Sequence, residues 1–170
     1  ERMKGGLLPN FIDEQGKAHY NSADASLWFV NAVREFAERT GDYEFVRARL
    51  WKSIRSFLSN YMQGNPIVAM DSDCLLFVKE PAATWMDAKI AGNAVTPRKG
   101  KPVEINALWH SDLRFIAELA ERFEDKRTAE IALRTAEGAK ESFSKFLCAE
   151  DGRLFDVLEP NDASLRPNQI

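Results

Sequence analysis

Three short stretches of this chain place tryptophan within one or two helical turns of carboxylate, amide or guanidinium groups. Residues 20–28 read Tyr20-Asn21-Ser22-Ala23-Asp24-Ala25-Ser26-Leu27-Trp28, and residues 84–88 read Thr84-Trp85-Met86-Asp87-Ala88. Residues 96–109 run from Thr96-Pro97-Arg98 through Glu104 and Asn106 to Trp109. A saccharide site needs this mixture. Indole faces cover the apolar faces of pyranose rings, while carboxylates, amides and guanidinium groups make paired hydrogen bonds to neighbouring hydroxyls.

Each residue also has a plainer explanation. Asp24 stands where a helix N-cap would be, and a cap alone accounts for a carboxylate there about as well as a ligand does. Trp28 and Trp109 fall on helical apolar stripes, so core packing outweighs stacking for either by itself. Glu104 beside a helix start is favoured by the helix dipole. Arg98 fits a surface position or a structural ion pair. Asp87 differs, because nothing around it asks for a cap or a turn. A carboxyl between Met86 and Ala88, behind Trp85, is expected in apolar company that disfavours its charged form, as an acid holding its proton near neutral pH requires.

The elements that must position these groups are helical. Apolar Leu27, Trp28, Phe29, Val33, Phe36 and Ala37 predict a helix from about Asp24 to Thr40, stopped by Gly41. Asp42 then caps a second helix carrying Val46, Leu50, Trp51, Ile54, Phe57, Leu58 and Tyr61, which ends near Gly64-Asn65-Pro66. A two-residue link forces the two into an antiparallel hairpin. Ile105, Leu108, Trp109, Ile116, Leu119, Ala120 and Phe123 mark a third helix, in which Asp112 alone breaks the stripe. Ala129, Ala132, Leu133, Ala136, Ala139, Phe143, Phe146 and Leu147 mark its partner. Long loops rich in Pro, Gly and Asp separate the pairs. Within them, Ile67-Val68-Ala69 and Leu75-Leu76-Phe77-Val78 are expected to pair as a small β-hairpin, and Leu154-Phe155-Asp156-Val157-Leu158 forms another apolar run.

Composition narrows the classes. With 23 basic and 26 acidic residues the net charge is −3 and no Lys/Arg stripe stands out, which argues against nucleic acid. Cys74 and Cys148 are far apart and read as reduced thiols. Only His19 and His110 are present, so no histidine-based metal site assembles from local motifs and no cofactor is expected. No apolar run approaches the roughly 18 residues that span a bilayer, and a cytoplasmic protein is the default expectation.

The three tryptophan-bearing stretches, in this order, resemble signature blocks of the amylo-α-1,6-glucosidase domain of glycogen debranching enzymes. Gly6-Leu7-Leu8-Pro9-Asn10 and Leu165-Arg166-Pro167-Asn168-Gln169 resemble further blocks at either end, so the resemblance covers nearly the whole chain. It implies an all-α fold, part of an (α/α)6 toroid built of antiparallel helical hairpins with long loops and short β-hairpins. It further implies removal of the α-1,6-linked glucose at branch points of glycogen or limit dextrin, by an inverting acid/base mechanism without metal or organic cofactor. On this resemblance Asp87 matches the general acid and Asp24 a glucose-binding carboxylate. Tyr20, Asn21, Trp28, Trp85, Arg98, Glu104, Asn106 and Trp109 become candidates for the pocket. Cys74 departs from the pattern, in a turn where glycine is expected. The chain opens on Glu1 and stops at Ile170, so the expectation is a section of one catalytic domain, with the general base beyond Ile170 and self-association through an uncovered apolar face.

Two other readings remain open. One is a different (α/α) toroid enzyme, of trehalase or phosphorylase type; phosphorolysis needs an anion pocket, for which Arg98, Lys99 and Lys101 beside Gly100 are the local candidates. The other is a helical-hairpin interaction module, against which stand the long loops and the absence of a repeat.

Overall fold

Helix α1, Asp24–Thr40, is stopped by Gly41, whose backbone turns left-handed at φ 70° and whose N–H donates to the Ala37 carbonyl at 2.9 Å. Asp42 caps the next rod, its carboxylate accepting the Phe45 N–H at 2.9 Å. That rod is continuous, passing from α2 (Tyr43–Phe45) through a π-helical stretch (Val46–Leu50) into α3 (Trp51–Gln63). Near its end, the Tyr61 hydroxyl donates to the carbonyl of Ala23, just before α1, at 2.8 Å. The rods are therefore antiparallel, as their short link requires. Helices α4 (Val103–Arg122) and α5 (Lys126–Phe143) make the second pair, and Asp125 caps α5 by accepting the Thr128 N–H at 3.2 Å. Helix α4 packs against both α5 and α1. This computed structural model describes residues 2–159 and 162–167.

One core runs through both pairs. Leu27, Val30 and Val33 share it with Ile54, Phe57 and Tyr61, and with Ile105, Trp109, Leu113, Ile116 and the small residues Ala132, Ala136 and Ala139 of the second pair. The Phe57 ring lies 4.3 Å from that of Tyr61 and 5.9 Å from that of Trp109, centroid to centroid. Trp109 is completely buried and its indole N–H donates to the Cys74 carbonyl at 3.1 Å. Besides Trp28, which is exposed, two stripe positions do not hold. Helix α5 stops at Phe143 and tightens into a 3-10 turn over Ser144–Phe146, which carries Leu147 out to an exposed position. Phe36 lies at the margin of the core and is exposed.

The loops are not structureless, so the all-α expectation is corrected. The fold is mixed and helix-rich, because loop backbone groups satisfy one another by short antiparallel pairing. Strands β1 (Phe11–Ile12) and β2 (Ala18–His19) pair, as do β5 (Lys89–Ile90) and β6 (Asn93–Ala94). Strands β3 (Val68–Met70) and β4 (Leu76–Val78) form the expected hairpin, in register Ala69 to Phe77. Strand β7 (Lys101–Pro102) pairs with β8 (Phe155–Glu159), and β8 with β9 (Asp162–Pro167). Within the closing block, Leu165, Arg166 and Pro167 thus fall in β9, while Asn168 and Gln169 lie outside the described residues.

Where glycine was expected, Cys74 itself takes the left-handed φ of 65°. Gly138 of α5 makes this possible: a Cβ there would stand 2.7 Å from the Cys74 sulfur. At the other end of the chain, a Cβ on Gly6 would stand 2.6 Å from the Asn60 Cβ, so the Gly6-Leu7-Leu8 segment lies tight on α3. Among the described residues no helix is long and apolar enough to cross a membrane.

Candidate active site

Residues four apart on a helix share a face, which decides where the candidate groups point. On α1, Asp24 and Trp28 are such a pair. On α4, so are Glu104 and Leu108, with Ala107 and Ser111 on the same side. The two faces meet because α1 packs on α4, and Trp85 from the loop after β4 closes over them. Asp24, Trp28, Trp85, Glu104, Ala107, Leu108 and Ser111 line one groove of about 620 Å³. Both indoles are open to solvent, Trp28 at 56% and Trp85 at 59%. Trp28 therefore corrects the expectation of core packing: Leu27 and Val30 take the inward positions of α1, and Trp28 is turned out into the groove. Helical period alone does not separate it from Trp109, which is core.

The Trp85 loop is pinned at several points. The Ala23 N–H donates to the Ala83 carbonyl at 2.8 Å, tying the loop to the start of α1, and the Arg98 N–H donates to the Pro81 carbonyl at 2.8 Å. The expected cap is also corrected. Asp24 is the first residue of α1, and the Ser22 hydroxyl takes the capping role, accepting the N–H groups of Asp24 and Ala25 at 3.3 and 3.4 Å. The same hydroxyl donates to an Asp24 carboxylate oxygen. Asp24 is thereby spared from capping and faces the groove.

Arg98 is the hub behind the site. It is 2% exposed, and all five of its N–H donors are engaged. Two go to the carboxylate of Glu104, the Nη2 bond measuring 2.6 Å, and two to Asp156 on β8, at 2.6 and 3.1 Å. The fifth reaches the Thr84 hydroxyl, beside Trp85, at 3.4 Å. Burial works against the charge of Arg98, but the bonds and charges of Glu104, then Asp156, prevail and raise its pKa. One guanidinium between two carboxylates leaves the cluster with a formal charge of −1.

Lys101 is consumed in the same way, by Asp71 at 2.8 Å and Asp73 at 2.9 Å, with Lys145 reaching Asp73 at 2.7 Å. Of the proposed anion pocket only exposed Lys99 has no carboxylate partner among the described residues. Among the described residues no cation lines the groove.

The remaining candidates are dispersed. Asn106 is completely buried and holds β4 to α4: its side-chain oxygen accepts the Leu76 N–H at 2.6 Å, and its nitrogen donates to the carbonyls of Leu76 and Pro102 at 3.1 and 2.9 Å. Tyr20 donates its hydroxyl to the Arg2 carbonyl at 2.7 Å, and Asn21 lies exposed, its N–H on the Asn10 side chain at 3.3 Å. Neither lines the groove. Asp87 is exposed, two residues beyond Trp85 and outside the lining residues, rather than enclosed by Met86 and Ala88 as expected. Sequence reasoning missed Ser111 and Asp156. Ser111 lies two turns after Glu104, and Asp156 is the single charge inside an apolar run; those were the available signals.

Residues 1–170 match the family model described as Amylo-alpha-1,6-glucosidase. The chain belongs to that amylo-alpha-1,6-glucosidase family. A comparison with curated proteins found no match. The family ties the chain to glycogen debranching and carbohydrate metabolism, as a glycoside-hydrolase-related domain with a glucan as substrate class. For an amylo-alpha-1,6-glucosidase, a groove with two open indoles and two carboxylates is chemically apt: it offers stacking faces and hydroxyl acceptors to a neutral sugar.

Proposed function

We propose that this chain is the glucose-binding, acid-bearing section of a hydrolase that removes α-1,6-linked glucose at branch points of glycogen. The observation that supports this most is the groove between α1 and α4, where Trp28 and Trp85 stand beside Asp24 and Glu104. In this reading the two antiparallel helix pairs are hairpins of a larger (α/α)6 toroid, with the groove at the loop end. Asp24 and Glu104 accept hydrogen bonds from hydroxyls of the terminal glucose, and the indoles cover its apolar faces. Asp87 is the general acid. It stands on the same loop as Trp85, protonates the glycosidic oxygen as the bond to the anomeric carbon breaks, and releases the shortened glucan. A second carboxylate, about 6.5–9.5 Å away in inverting enzymes, removes a proton from the attacking water.

The test is Asp87→Asn in the full-length protein, which carries an amide that cannot donate an acid proton. Glucose release from a branched limit dextrin is expected to fall at least about 100-fold, the scale of general acid catalysis. Thermal unfolding is expected to be unchanged, because Asp87 is exposed. Retention of most of the activity overturns the assignment.

A further inference from the structure

The mechanism above uses Glu104 but not the groups behind it. Glu104 belongs to the first turn of α4, while Asp156 belongs to β8, far along the chain and in another element. Arg98 joins them, and no freedom is left in the join: a planar guanidinium with five engaged donors neither rotates nor slides. Each Glu104 oxygen gives Arg98 one lone pair and keeps one for a donor in the groove. Asp156 grips the same guanidinium along its Nε edge and is not among the residues lining the groove. Removing Asp156 would leave two Arg98 donors buried without acceptors, and Arg98 would reorient to recover them. Glu104 would then move with it. The Thr84 contact extends the same bracket to the segment carrying Trp85, so one side chain sets the spacing of the stacking indole and the carboxylate.

We propose that Arg98 and Asp156 are positioning residues for the glucan site, through which the β7–β8–β9 sheet fixes the direction of Glu104 lone pairs toward ligand hydroxyls. This rests on the reading of the groove as a glucose site. Arg98 and Asp156 touch no ligand themselves. The arrangement differs from a stabilising ion pair in one testable way: the effect of Asp156 on ligand must pass through Glu104.

The experiment is a double-mutant cycle in the full-length protein, with KM and kcat measured for glucose release from branched limit dextrin. Asp156→Asn keeps the shape and one acceptor but loses the fork. It is expected to raise KM about 5- to 20-fold with kcat within twofold, the pattern of lost uniform binding. In a Glu104→Gln background the same substitution is expected to change KM less than twofold. Any loss of thermal stability is expected in both backgrounds. An equal KM effect in both backgrounds, or none in either, overturns the proposal. If Asp156→Asn does not fold, Arg98→Lys replaces it, with the same pair of outcomes, since an ammonium keeps the charge and cannot fork. Failure of the wild-type protein to release glucose defeats the glucosidase reading instead; the cycle is then read on the Kd of isomaltose, where equal effects in both backgrounds still overturn the positioning role.

Discussion

Arg98 and Arg34 each reach a carboxylate inside the helical shell, and the two pairs are built in opposite ways. Arg98 meets Glu104 and Asp156 through forked bonds with every donor engaged. Arg34 comes only within 3.7 Å of Asp112, and spends its Nη2 on the carbonyl and hydroxyl of Ser111, at 3.1 and 2.9 Å. Asp112 is completely buried, and among the described residues neither of its oxygens has a hydrogen-bond partner; nor has the buried Nε of Arg34. Burial pushes the Asp112 carboxyl well above the usual carboxylate range, against the opposing charge of Arg34. A carboxylate is held in its charged form by a guanidinium whose fork it matches; a charge nearby without a bond leaves the buried carboxyl to keep its proton. The matched cluster faces the groove, and the unmatched one lies one residue beyond its far edge at Ser111.

Breaking each pair in turn is expected to give unequal losses. Arg98→Met leaves Glu104 and Asp156 without their shared cation and is expected to cost about 3–5 kcal/mol. Arg34→Met removes two hydrogen bonds to Ser111, while Asp112 settles as the neutral acid, and is expected to cost about 1–2 kcal/mol. Urea unfolding of both variants at pH 7 checks the order. Equal losses would mean that the fork geometry carries no special weight.

A smaller effect sharpens the same contrast. With its folded pKa above the unfolded one, Asp112 holds a proton that the unfolded chain has already released. Its contribution to stability is therefore present below the unfolded value of about 3.9 and is lost as pH rises through the folded one. Asp71 and Asp73 run the other way. Asp71 lies below the ordinary range chiefly through its bond to Lys101; burial pushes Asp73 up, but the bonds to Lys145 and Lys101 outweigh it. Their contributions are present above the unfolded pKa and are lost as the solution is acidified. Asp112→Asn leaves that acid-side loss in place and is expected to remove the alkaline-side decline, gaining about 1 kcal/mol at pH 7. Melting temperatures of variant and wild type from pH 4 to 8 give the comparison; parallel curves would show that Asp112 does not titrate in this window.

Much of the fold was legible because helical period and caps are local. Gly41 and Asp42 end and begin helices where their chemistry requires, and the short apolar runs around Ala69 and Phe77 pair as expected. The site was legible only in part. Asp24, Trp28, Trp85 and Glu104 do come together, but Asn106 and a further tryptophan, Trp109, serve the core instead. Period could not tell Trp28 from Trp109, since the neighbour each faces is set by tertiary packing. The partner of Arg98 was out of reach for the same reason. Asp156 is 58 residues away, and nothing local says that β8 lies beside β7.

The proposed glucose site presents its two open indoles to solvent. Titration of isomaltose into the full-length protein, comparing wild type with Trp28→Ala and Trp85→Ala, measures their part in binding. Each substitution is expected to weaken binding at least about tenfold, or 1.4 kcal/mol, with the melting temperature nearly unchanged because both rings are exposed. Wild-type affinity in both variants would contradict the groove as the glucose site.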